Sequence, residues 1–156
     1  MQIQFNKIFL LILIIIILCV IMYICSARKP APIINIIQCD IEKMHCDLLH
    51  EKSPIVITSA IHNLNDIVDI VFKYHYISKH QKNIVPLQNL TKNMYAYSIF
   101  KALHDGSIVK IKHPNFSDTI SVKLYKHNVL ILPFNWYYNV NLNMHVMQLH
   151  SLTSIL

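Results

Sequence analysis

Ten histidines and four cysteines have the widest chemical reach in this 156-residue chain, and their densest grouping is Cys39, His45, Cys46, Asp47 and His50. Thiolate and imidazole suit a soft divalent metal, and on a helix Cys46 and His50 share a face at i, i+4. A closed zinc site needs a second ligand pair and none follows, so the grouping reads as an ordinary amphipathic segment. Other catalytic signatures are excluded by composition. Gly106 is the only glycine, so neither a phosphate-cradling glycine loop nor a Gly-x-Ser-x-Gly elbow can be written, and no His-Glu-x-x-His occurs. The sequence therefore assigns no catalytic, cofactor-binding or metal-binding residue and implies no cofactor.

Charge narrows the partners. Lys and Arg number 14 against 8 Asp and Glu, a formal +6, but Lys7, Arg28 and Lys29 flank the apolar N-terminus and leave eleven lysines against those eight acids. That excess gives no reason to expect nucleic acid. The hydrophobic share of 54% is too high for an ordinary soluble chain and rules out disorder.

Positioning elements follow from patterning. Ile8 to Cys25 carries no charged residue, and the run extended over residues 8–27 reaches roughly the 30 Å of a hydrocarbon core. It predicts a transmembrane helix after a seven-residue flank, with the lipid bilayer as partner through residues 8–27. A cleaved signal is the competing reading, from Lys7 and the small residues Cys25, Ser26 and Ala27, but the run exceeds the usual h-region. Membrane orientation stays open, because Lys7 and the α-amine on one side nearly balance Arg28 and Lys29 on the other. So do glycosylation at the Asn89 and Asn115 sequons and pairing of Cys39 with Cys46. Pro30 and Pro32 make residues 28–32 a linker that stops the helix, and one domain fills 33–156.

Within that domain Ile33–Ile37 predicts a strand, Asp40 caps a short helix carrying Ile41, Met44 and Leu48, and Ile55–Thr58 predicts a buried strand. Asn63 or Asn65 caps the best helix, with Ile67, Ile70, Val71 and Tyr74 at helical spacing. Short strands then follow at Met94–Phe100, Ser107–Lys112, Thr119–Tyr125, Val129–Leu132, Trp136–Val140 and Met144–Leu149. Turns at Asp105-Gly106, Pro114-Asn115, His127-Asn128 and Asn141 to Asn143 separate them, with Asn standing in for Gly at positive φ. Lys110, Lys112, Ser121 and Lys123 alternate with Ile111, Val122 and Leu124, giving one wet and one dry face.

The most specific stretch is Val129-Leu130-Ile131-Leu132-Pro133-Phe134-Asn135-Trp136-Tyr137-Tyr138-Asn139-Val140. It resembles the closing strands of the cupin and Jumonji-like double-stranded β-helix proteins, in which a hydrophobic strand ends in Pro and an aromatic turn leads to a His and a Val. Glu51-Lys52-Ser53-Pro54-Ile55-Val56-Ile57 resembles the opening strand of that superfamily, so the resemblance covers residues 51–140. It implies an Fe(II) site made by a His-x-Asp/Glu pair and a later His. Here Tyr138 falls where that His belongs, and His45-Cys46-Asp47 precedes the opening strand. The metal site is expected to be missing. A small, N-terminally anchored chain of this composition is also similar to uncharacterised proteins of the large nucleocytoplasmic DNA viruses.

The expected fold is thus a transmembrane helix followed by a small α+β domain, mainly antiparallel β, an abbreviated cupin-like barrel or sandwich with one or two helices. Pro133, Phe134, Trp136, Tyr137 and Tyr138 are expected to be structural, with Trp136, Phe134 and Tyr137 as a packing centre. The expected function is a membrane-anchored, non-catalytic binding or structural protein with a protein partner, at a host or virion membrane under the viral resemblance. The alternative is an Fe(II)/2-oxoglutarate oxygenase using His104, His113 and His145, and a third reading is a secreted binding module.

Overall fold

A computed structural model of the chain describes residues 2–27, 34–45, 47–72 and 77–151. The linker expected over 28–32, Cys46 and Tyr74 lie outside these residues. Helix α1 (Gln2–Ala27) belongs to one compact unit, and the described residues from Ile34 onward belong to a second. The transmembrane span expected over 8–27 is corrected: among the described residues no helix is long and apolar enough to cross a membrane. The described side chains of α1 run from Phe9 to Met22. Those side chains are nonetheless almost all aliphatic and lie exposed, Phe9 at 65% and Met22 at 72%.

The second unit opens with β1 (Ile37–Cys39), a single 3-10 turn (Ile41–Lys43), α2 (Asp47–His50) and β2 (Ile55–Ile57). The helix expected from Asp40 to Leu48 is split, because Met44 is extended at φ −76, ψ 120. Asp40 does not cap it either; its carboxylate accepts from the Thr58 hydroxyl at 2.7 Å. The split segment is the crossover that lets β1 and β2 pair in parallel, Ile37 beside Ile55, a pairing no tight turn can make. Helix α3 (Leu64–Val71) follows, with the Asn63 side chain accepting from the Asn65 N–H at 3.0 Å. Its buried stripe is Leu64, Ile67, Val68 and Val71, spaced i, i+3, i+4, i+7, while Ile70 stays outside.

Eight antiparallel strands complete the unit: β3 (Ile77–Ile84), β4 (Thr91–Lys92), β5 (Tyr97–Ala102), β6 (Ser107–Lys112), β7 (Thr119–Leu124), β8 (Val129–Pro133), β9 (Tyr137–Val140) and β10 (Met144–Ser151). They form two sheets, ordered β1-β2-β8-β5-β10-β3 and β4-β9-β6-β7. From β3 to β10 the chain alternates between the two sheets except at the β6–β7 hairpin, the connectivity of a double-sheet jelly roll. All six residues of β5 and all five of β8 are buried, because the larger sheet is covered on both faces. Ile99, Val129, Ile131, Met147 and Leu149 face α3 and Phe72. Phe100, Leu130, Leu132, Met144 and Val146 face the smaller sheet. The order of layers is helix, large sheet, small sheet.

Tyr97 shows how the helical layer is tied down. Its hydroxyl donates to the Leu49 carbonyl at 3.2 Å, and its ring packs tilted on Phe72 at 5.4 Å. Burial pushes its pKa from 10.0 up to about 12. A raised folded-state value means stability fully present below pH 10 and lost as pH climbs through 12. We expect the melting temperature to fall between these values, and Tyr97→Phe to lose about 1 kcal/mol with the hydrogen bond while abolishing that part of the alkaline fall.

Candidate functional site

A jelly roll can hold a ligand between its sheets only if side chains leave room. Here the interior is occupied. Trp136 is fully buried, Tyr138 is 3% exposed and meets Phe100 edge-on at 4.8 Å, and Val109, Ile111, Leu124 and Val140 fill the remaining width. His113, buried at the end of β6, sets its ring edge-on to Trp136 at 4.9 Å, and its Nδ1 accepts from the Asn115 N–H at 3.1 Å. Pro133 is buried, while Phe134 and Tyr137 are only half-buried, so the packing centre is Trp136 with Tyr138, His113 and Phe100.

The turn that delivers Trp136 is fastened by Asn93, a residue whose role the sequence did not reveal. The Asn93 amide donates to the Leu132 and Pro133 carbonyls at 3.0 and 2.8 Å. Its oxygen accepts from the Tyr95 N–H at 3.1 Å and the Ser98 hydroxyl at 2.8 Å. The Asn135 N–H donates to the Asn93 carbonyl, and the Asn93 N–H to that of Trp136. Asn135 takes φ +71, a left-handed position Asn tolerates.

The iron site implied by the resemblance does not fit these residues. Tyr138 on β9 stands opposite Thr91 on one side and Ile111 on the other. Burial and then Tyr95 push its phenol above its ordinary pKa, which keeps it a neutral hydroxyl and a poor ligand for Fe(II). His104 is exposed in the β5–β6 turn, His113 is packed on Trp136, and His145 lies on β10. His45 and Asp47 approach only at 3.7 Å on the surface. The Cys39 thiol lies 4.0 Å from the Met44 sulfur and is pushed up by burial and then by Asp40. Among the described residues no three His, Cys, Asp or Glu side chains gather to hold a metal ion. No family model, no curated protein and no solved structure matches the chain.

Two polar features lie at the margins. A cleft of about 240 Å³ opens between the sheet edges, lined by Gln38, Val56 and Thr58 on one side and Ser121, Lys123 and Tyr125 on the other. At the far end of β5 the buried Lys101 ammonium donates to the His62 carbonyl, and the His62 and His127 rings meet at 4.9 Å. Loss of water, then the His62, Lys101 and Lys126 charges, hold His127 below the usual imidazole range against the opposing pull of Asp105. His127 takes φ +69 in a turn where Asn128 was expected to. The Asn128 amide instead donates to the Thr58 carbonyl at 2.7 Å.

Proposed function

We propose that the chain is a non-catalytic binding or structural protein, a degenerate cupin-like jelly roll carried to lipid by its apolar helix and meeting a protein partner over its outer surface. The strand order and the Pro133–Val140 closing turn support the cupin-like likeness. The observation that carries the reading is the interior filled by Trp136, Tyr138 and Phe100, which leaves binding to the outside.

Lipid contact rests on the exposed side chains from Phe9 to Met22. Each leaves roughly 1 kcal/mol of further burial unclaimed, on the order of 10 kcal/mol in sum. That gain is available wherever acyl chains are offered and requires no crossing. The full chain is therefore expected to float with neutral phosphatidylcholine vesicles in high salt. Ile14→Lys with Ile17→Lys should cut the floated fraction by about tenfold or more, because an ammonium resists an apolar phase at a cost of several kcal/mol. Equal flotation of wild type and variant would defeat the lipid reading.

A further inference from the structure

The small sheet has a second face whose composition the function above leaves unused. Across it the outward positions form rows: Lys92 beside Tyr137 beside Lys112, then Asn139 beside Lys110 beside Ser121, with Lys123 opposite Ile108 in the next. Directly opposed residues of antiparallel strands point the same way, so these side chains share the face turned from the core. Lys92, Lys110 and Lys123 are exposed and Lys112 half-exposed. β4, β6, β7 and β9 contain no Asp or Glu, and among the described residues none of the four lysines is paired with a carboxylate. The acids of the flanking turns are engaged locally: Asp105 accepts from the Lys126 N–H at 2.8 Å and Asp118 from the Ser117 hydroxyl at 3.1 Å.

Four like charges on one short sheet repel each other, with Lys123 set over the Tyr125 ring at 5.6 Å, and they gain when a partner brings the opposite sign. We propose that this face docks on an anionic lipid surface, its lysines meeting phosphate and carboxylate headgroups. Tyr137, half-buried in the first row, offers an apolar body with a polar tip, the form suited to the headgroup level. The choice of lipid over another polyanion rests on the helix reading above, which already brings the chain to acyl chains. Each lysine near such a surface strengthens residence by roughly fivefold, and added salt removes the effect.

The test is an amine-acylation footprint of the full chain, read by mass spectrometry, in neutral phosphatidylcholine vesicles and in vesicles of equal parts phosphatidylcholine and phosphatidylserine. Lys110, Lys112 and Lys123 should react about fivefold or more slowly in the anionic vesicles, regain reactivity in high salt, and leave the exposed Lys43 unchanged. Lys110→Gln with Lys112→Gln should abolish the protection of Lys123, while the corresponding Lys→Arg pair keeps it. Unchanged reactivity in a chain that floats with both vesicles overturns the inference and leaves the helix reading intact. If the chain does not float with neutral vesicles, the helix reading falls alone, and absence of binding to anionic vesicles then overturns the inference as well. Protection by a single-stranded oligonucleotide, with none from anionic vesicles, assigns the face to nucleic acid and also overturns it.

Discussion

Trp136→Ala lowers the stability of the β domain by about 3–5 kcal/mol, the cost of truncating a fully buried large aromatic. The indole is wholly enclosed between the two sheets, and its removal leaves Phe100, Tyr138 and the His113 ring facing a void. Against a total stability of about 5–15 kcal/mol, the variant is marginal at body temperature. Thermal unfolding followed by near-ultraviolet circular dichroism measures this. Among the described residues the buried Trp136 Nε1 has no hydrogen-bond partner, so Trp136→Phe gives up ring volume while removing an unsatisfied donor, and its loss should be clearly smaller. An unchanged melting temperature for Trp136→Ala would contradict the filled interior.

Asn93→Ala has a comparable effect by a different route. Asn93 is 1% exposed and makes four side-chain hydrogen bonds, two as donor and two as acceptor. Truncation strands the Leu132 and Pro133 carbonyls together with the Tyr95 N–H and the Ser98 hydroxyl. At about 1 kcal/mol for each bond, and more where a group stays buried and unpaired, the loss is about 3–5 kcal/mol. Asn93→Asp should do no better, since a carboxylate cannot donate to two carbonyls and its charge resists burial. Ser98→Ala deletes one bond of the set and should cost about 1 kcal/mol. Chemical denaturation of the three variants ranks them, and equal stabilities would show that the turn is held by something else.

The strands from Ser107 onward were legible because polar and apolar residues alternate within them or, as in Val129–Leu132, because a continuous apolar run marks a strand buried on both faces. β3 was not: Ile-Ser-Lys-His-Gln-Lys-Asn-Ile has no alternation and gains its place through pairing with β10, Lys82 opposite Val146. β4 is two residues, too short for any periodicity. Asp40 carries the signature of a helix cap, yet a tertiary partner 18 residues away takes its carboxylate. Left-handed backbone was expected of the Asn residues in the Pro114-Asn115, His127-Asn128 and Asn141 to Asn143 turns, and none of them adopts it; it falls instead at Asn135, His127 and Lys52, of which only Lys52 is of a type that gives no warning. The aromatic closing turn was visible as a motif. Asn93, which fastens that turn from 40 residues away, looks like any other Asn until the strands meet. The span over 8–27 was read from hydropathy alone, and hydropathy cannot by itself distinguish an apolar helix from one that crosses a bilayer.

The claim that the chain works from its outer surface is tested most directly by anaerobic incubation of the full chain with Fe(II), followed by iron analysis after mild chelation and by succinate measurement with 2-oxoglutarate and oxygen. An interior filled by Trp136, Tyr138 and Phe100, with a neutral phenol at the ligand position, predicts sub-stoichiometric iron that the chelator removes and no succinate. One iron per chain that survives chelation, with succinate formation abolished by substituting His104, His113 or His145, would contradict it.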